Sequence, residues 1–129
     1  MNEYKSLIGR TLIEVEGMHK GSERVALTFE DGSILEMVHD QNCCENVEVE
    51  DVVGDIRNLM GVPIVRFDEV SSHAEADDEP YSYDSITWTF YSITTLRGTV
   101  VLRWLGRSNG YYSERVDLYL DSERLRVDN

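Results

Sequence analysis

Apolar and polar positions alternate along most of this chain with the two-residue period of β-strands, and polar turns carrying glycine interrupt the alternation. Residues 23–30 put Val25, Leu27 and Phe29 on one face. Asp31 and Gly32 follow and predict a two-residue hairpin, because such a turn needs positive φ. Residues 33–39 return as the paired strand, and Val47, Val49 and Val52 mark the next one. Residues 85–93 alternate most clearly: Ile86, Trp88 and Phe90 face one way, Thr87, Thr89 and Tyr91 the other. Residues 99–105 predict their partner. Residues 111–120 predict a closing strand with Val116, Leu118 and Leu120 inward, and residues 11–16 and 64–70 predict two more strands.

Two short segments depart from this period. Tyr4, Leu7 and Ile8 follow Asn2 at helical spacing and end at Gly9. Ile56, Leu59 and Met60 follow Asp55 and end at Gly61, with Pro63 forbidding continuation. Residues 6–16 and 58–68 share one polarity pattern, and each is followed by a hairpin, a polar turn with a doubled residue, and another strand. The pattern therefore predicts an α+β fold, mostly antiparallel β, with about eight strands and two short helices. Its organisation is a tandem pseudo-two-fold repeat of helix plus four strands. One domain spans 1–129, with repeat halves of about 2–53 and 54–120 and a polar tail at 121–129, because a chain of this length builds one core. Residues 71–83 read as a long loop carrying Glu75, Asp77, Asp78 and Glu79.

Charge narrows the choice of partner. The net charge is −13, and residues 40–84 contribute most of it, with 13 Asp or Glu against 2 Arg. Such a field argues against direct nucleic-acid binding and is compatible with a basic protein partner. No apolar run approaches the roughly 20 residues of a membrane helix, and the first residues lack a signal-peptide core, so a cytoplasmic protein is expected. Cys43 and Cys44 are the two cysteines. A bond between neighbours staples no loop, so two thiols in a reducing compartment are expected.

Two polar turns hold the candidate chemistry, and the repeat makes them counterparts. The first contains His39, Asp40, Gln41, Asn42, Cys43, Cys44 and Glu45; the second contains Arg107, Ser108, Asn109, Gly110, Tyr111, Tyr112, Ser113 and Glu114. His39, Cys43 and Glu45 have metal-ligand residue types, with His19 and His73 elsewhere, but neighbouring cysteines rarely both reach one ion and no second ligand pair follows. His39 could serve Cys43 or Cys44 as a base, yet the surrounding carboxylates disfavour a thiolate. The second turn suits recognition: Arg107 offers a planar donor fork, Ser108 and Asn109 short polar groups, Tyr111 and Tyr112 amphipathic rings. Arginines 97, 103, 107, 115, 124 and 126 are interleaved with aromatics and suit either a nucleotide or cross-strand pairing with acids.

At these turns the chain resembles a family of small phage, prophage and actinobacterial proteins of unknown function. The resembling segments are residues 39–45, Gly54 and Asp55 with residues 59–64, residues 87–91, and residues 108–114. Asn42 stands where members of that family usually have Asp. The resemblance implies a phage accessory protein, a class in which inhibitors of host defence and binders of host factors are common.

The resulting expectation is a non-enzymatic binding protein that engages or sequesters a host protein or a small anionic ligand, without cofactor or metal. Its binding residues are His39, Gln41, Cys43, Cys44, Glu45, Arg107, Ser108, Asn109, Tyr111, Tyr112 and Glu114. The alternatives are a metal-binding or cysteine-dependent enzyme built on His39, Cys43 and Cys44, and a virion structural or assembly protein. A homo-oligomer is compatible with each of these readings.

Overall fold

The computed structural model describes residues 2–75, 85–109 and 113–127, so Tyr111, Tyr112 and the acidic stretch 76–84 lie outside the described residues. In chain order the strands are β1 (Asn2–Glu3), β2 (Leu12–Glu16), β3 (Arg24–Phe29), β4 (Ile34–Val38), β5 (Asn46–Val53), β6 (Arg66–Glu75), β7 (Ser85–Thr95), β8 (Gly98–Ser108), β9 (Asp117–Leu120) and β10 (Glu123–Arg124). They form two five-stranded sheets, ordered β1-β6-β7-β8-β5 and β10-β9-β4-β3-β2, with every named pair antiparallel.

The α+β expectation is corrected. Among the described residues the two expected helices are single 3-10 turns, Lys5–Leu7 and Ile56–Leu59. Each is too short to offset the cost of nucleating an α-helix. Asn2 and Glu3 instead pair with Glu69 and Asp68, and the Tyr4 amide donates to Phe67 O at 3.0 Å, drawing the first residues into a sheet. Asp55 does cap the second turn, accepting from the Arg57 amide at 3.0 Å. The unit of helix plus four strands is likewise replaced. Each 3-10 turn precedes a three-stranded meander, β2-β3-β4 or β6-β7-β8, and the fourth strand crosses to the other sheet. Thus β5 pairs with β8, and β9 pairs with β4.

Two further segments differ from the sequence reading. Residues 71–75, expected in a loop, continue β6 and pair with β7 as far as Glu75 opposite Ser85. Ser71, Ser72 and His73 are exposed, so this end of the strand carries no apolar alternation to reveal it. Residues 121–127, expected as a polar tail, turn back at Asp121 and Ser122, and Leu125 donates its amide to Leu118 O.

One apolar cluster fills the space between the sheets. It joins Leu27, Phe29, Leu35, Met37 and Leu118 of one sheet to Phe67, Tyr91, Ile93, Leu102 and Trp104 of the other. On β7 the inward face carries Thr89, Tyr91 and Ile93, whereas Ile86, Trp88 and Phe90 are half-buried on the outer face. Arg103 lies 5.4 Å from the Trp88 ring centre there and pairs with Glu50, which explains how an indole is tolerated outside the core. No helix among the described residues is long and apolar enough to cross a membrane.

The turn between β2 and β3 depends on Gly17, with φ of +76° and a Cβ position only 2.0 Å from Arg24 O. Gly9 has φ of +89° with nothing within 4 Å of its Cβ position. Gly9→Ala should therefore cost about 1–2 kcal/mol from backbone conformation alone. Gly17→Ala should cost clearly more, because a backbone carbonyl must move. Urea midpoints of the two variants measure the difference.

Candidate binding site

Besides residues 4–11, which lead from β1 to β2, the chain passes between the sheets through residues 39–45, from β4 to β5, and between β8 and β9, where residues 109 and 113–116 are described. Val38 faces Asp117, and Asn46 faces Arg107. Each loop therefore begins beside the end of the other, and the two polar turns lie together at one pole of the molecule.

A buried pair holds them there. His39 Nε2 lies 2.8 Å from Glu45 Oε2, and His39 Nδ1 lies 2.7 Å from the backbone carbonyl of Arg115 in the other loop. The ring therefore lies between a carboxylate of its own loop and a backbone carbonyl of the other, and its two nitrogens join them. The side chains of His39 and Glu45 are 4% and 0% exposed. Glu45 also accepts from the amides of Asn42 at 2.9 Å and Cys43 at 2.8 Å, while Gln41 Nε2 donates to Glu45 O at 2.6 Å. Burial by itself would raise the Glu45 carboxyl, but the His39 bond and the Cys43 and Asn42 amides outweigh it and hold it down at about 2.

The second loop repeats the arrangement. Ser108 Oγ donates to Glu114 Oε2 across six residues, the same spacing as His39 to Glu45. Gly106 makes room, because a Cβ there would fall 2.7 Å from Glu114 Cβ. The other oxygen, Glu114 Oε1, is buried with no donor among the described residues.

The sequence-derived site residues thus divide. His39, Gln41 and Glu45 converge on one network, and Ser108 meets Glu114 beside it. His39, Glu45, Ser108 and Glu114 are buried, so they shape the loops from beneath. Cys43 and Cys44 are exposed and joined by a disulfide, where two thiols were expected. They lie in a bend, not a strand, so their side chains do not alternate. Arg107 lies apart, lining a cavity of the first sheet with Glu48, Glu50 and Trp88. Asn109 is exposed where the second loop starts. Among the described residues no three His, Cys, Asp or Glu side chains are grouped to hold a metal.

A groove beside the loops escaped the sequence reading. One cavity of about 330 Å³ is lined by Glu69, Ser71, Thr87, Thr89, Glu114 and Arg115, among others. A second of about 500 Å³ shares Glu69 and Arg115 with it and adds Arg124 and Arg126. Asp117 stands 3.6 Å from Arg115 and 2.6 Å from Arg124 and keeps the two guanidiniums adjacent. Burial pushes the Asp117 carboxyl up, against the pull of Arg124. Tyr4 donates to Glu69 at 2.5 Å and fixes the carboxylate at the junction of the two cavities. The alternation of residues 85–93 had put Thr87 and Thr89 on one face, but not on the side facing these loops.

A domain of unknown function, DUF7448, matches residues 5–118. The chain belongs to this family. The DUF7448 match takes in both meanders and both crossing loops and ends at Leu118 within β9. Comparison with curated proteins and with solved structures gives no match.

Glu45 has a folded pKa below its ordinary 4.5, so its contribution to stability is present above about 4.5 and is lost as pH falls toward about 2. Glu45→Gln should lower the urea midpoint at pH 7, and the gap from the parent should close by about pH 2. The Cys43→Ser/Cys44→Ser double variant should shift the thermal midpoint by less than about 2 °C, because a bond between neighbours constrains almost none of the unfolded chain.

Proposed function

We propose that this protein is a non-enzymatic binding protein that holds a small anionic ligand stoichiometrically, in the manner of a phage accessory protein that takes a host molecule out of circulation. The observation that carries this reading is the gathering of Arg115, Arg124 and Arg126 along one groove of a chain whose net charge is −13. Arg115 and Arg124 share Asp117, while Arg126 pairs with no carboxylate among the described residues. Among the described residues, three guanidiniums against Asp117 and Glu69 leave local positive charge and planar donor forks, which suit phosphate or carboxylate oxygens. His39 and Glu45 hold residues 39–45 against the backbone of Arg115 beside the groove. The cavity sizes lie in the range of small-molecule sites.

A protein partner is the second reading. The half-exposed Trp88 and Phe90 on the outer face, flanked by Glu48 and Glu50 and by Lys20, Arg103 and Arg107, favour a host protein with an apolar contact ringed by both charges on that side of the molecule.

Pyrophosphate titrated into the protein and followed by calorimetry should bind saturably, more weakly as salt rises. Arg115→Ser/Arg126→Ser should weaken it at least about 10-fold with the fold intact, since two charge-assisted contacts are lost. Pyrophosphate binding that is absent, or indifferent to these arginines, would sink the anionic-ligand reading.

A further inference from the structure

The two cavities differ in electrostatic character, and the difference specifies the ligand further. The larger one is lined by three arginines with Glu69 as its acid. The smaller one holds a single arginine, Arg115, with Glu69 and Glu114 and the hydroxyls of Ser71, Thr87, Thr89 and Ser113. An anion placed in the smaller cavity would meet acidic side chains with one cation to offset them. A neutral group rich in hydroxyls would meet matching donors and acceptors. Neither Ser71 nor Thr89 commits its hydroxyl to another described residue, and Thr89 is buried on the core-facing side of β7. A solvated threonine is ordinary; a buried one on the wall of a polar cavity is positioned to meet a ligand.

We propose that the hydroxyl-lined cavity takes the uncharged, polyhydroxylated end of the same ligand whose anionic end lies on Arg115, Arg124 and Arg126, so that the ligand class is a phosphorylated sugar, free or as part of a nucleotide. Glu69 and Arg115 line both cavities and therefore sit where the two ends of the ligand join. Arg115 is the residue that would bridge the phosphate and the adjacent sugar oxygen. This inference rests on the anion-binding reading above and adds the second half of the ligand.

Three probes separate the two ideas: inorganic phosphate, ribose and ribose 5-phosphate, each titrated into the whole chain by calorimetry. Ribose 5-phosphate is expected to bind at least about 10-fold tighter than inorganic phosphate, the increment of one or two well-placed hydrogen bonds. Thr89→Val should erase that margin and leave phosphate affinity as it was, whereas Arg126→Ser should weaken both anions. Ser71→Ala, at an exposed position, tests the same margin should Thr89→Val disturb folding. Adenosine 5′-monophosphate beside ribose 5-phosphate distinguishes the two sources, because only a nucleotide site gains from the base. Equal affinity for ribose 5-phosphate and phosphate would overturn the sugar subsite while the anion site stands. No binding of any phosphorylated probe would overturn both.

Discussion

Among the described residues three strands pair outside their own half, β1 against β6, β5 against β8 and β9 against β4, and the geometry of the site depends on the last two pairings. Backbone amides and carbonyls at a sheet edge require partners, and each meander offers an edge that its own half leaves open. Filling each edge with a strand from the other half forces two connections to cross between the sheets. Antiparallel register then puts both crossings at one pole. His39 can reach the Arg115 carbonyl for this reason and no other, since the two residues are far apart in sequence.

Buried carboxylates at the ends of the two loops serve different degrees of restraint. Glu45 is surrounded by donors: the His39 ring, two backbone amides and, more distantly, Gln41. Glu114 has Ser108 on one oxygen and no donor among the described residues on the other. A buried carboxylate is tolerated in proportion to its hydrogen bonds. Residues 39–45 are thus pinned through Glu45, while Glu114, which borders the groove, keeps one oxygen without a donor among the described residues. Differences of this kind are common where a scaffold keeps stability on one side and recognition on the other.

Electrostatics at the groove run against the charge of the whole chain. The acids of residues 40–84 set the net charge, yet Arg115, Arg124 and Arg126 line one cavity, the first two paired with Asp117. At physiological salt, charges beyond about 8–10 Å are largely screened, so the potential in the groove is set by the nearby guanidiniums more than by the distant acids. An acidic protein can therefore hold an anion, and its bulk charge acts mainly on what approaches from afar.

The strand content and the Asp55 cap were legible in the residues, because alternation and capping are local properties, whereas the turn expected from Asp31 and Gly32 alone closes through three residues, Glu30, Asp31 and Gly32, with Phe29 donating to Ser33 O and Gly32 at positive φ. The six-residue spacing of Ser108 and Glu114, matching that of His39 and Glu45, was also written there and marks the paired loops better than the doubled cysteines and tyrosines do. Helices were misread because short apolar stripes look alike whether a chain coils for one 3-10 turn or for three α-turns. Strand β6 was cut short because its far end carries serines and His73, with no apolar face. Which face of β7 turns inward, which strands exchange sheets, and that Glu69, Thr89 and Arg126 share one groove were decided only by tertiary pairing. Contacts between residues distant in sequence follow from edge satisfaction and core packing across the whole molecule, and no local pattern encodes them.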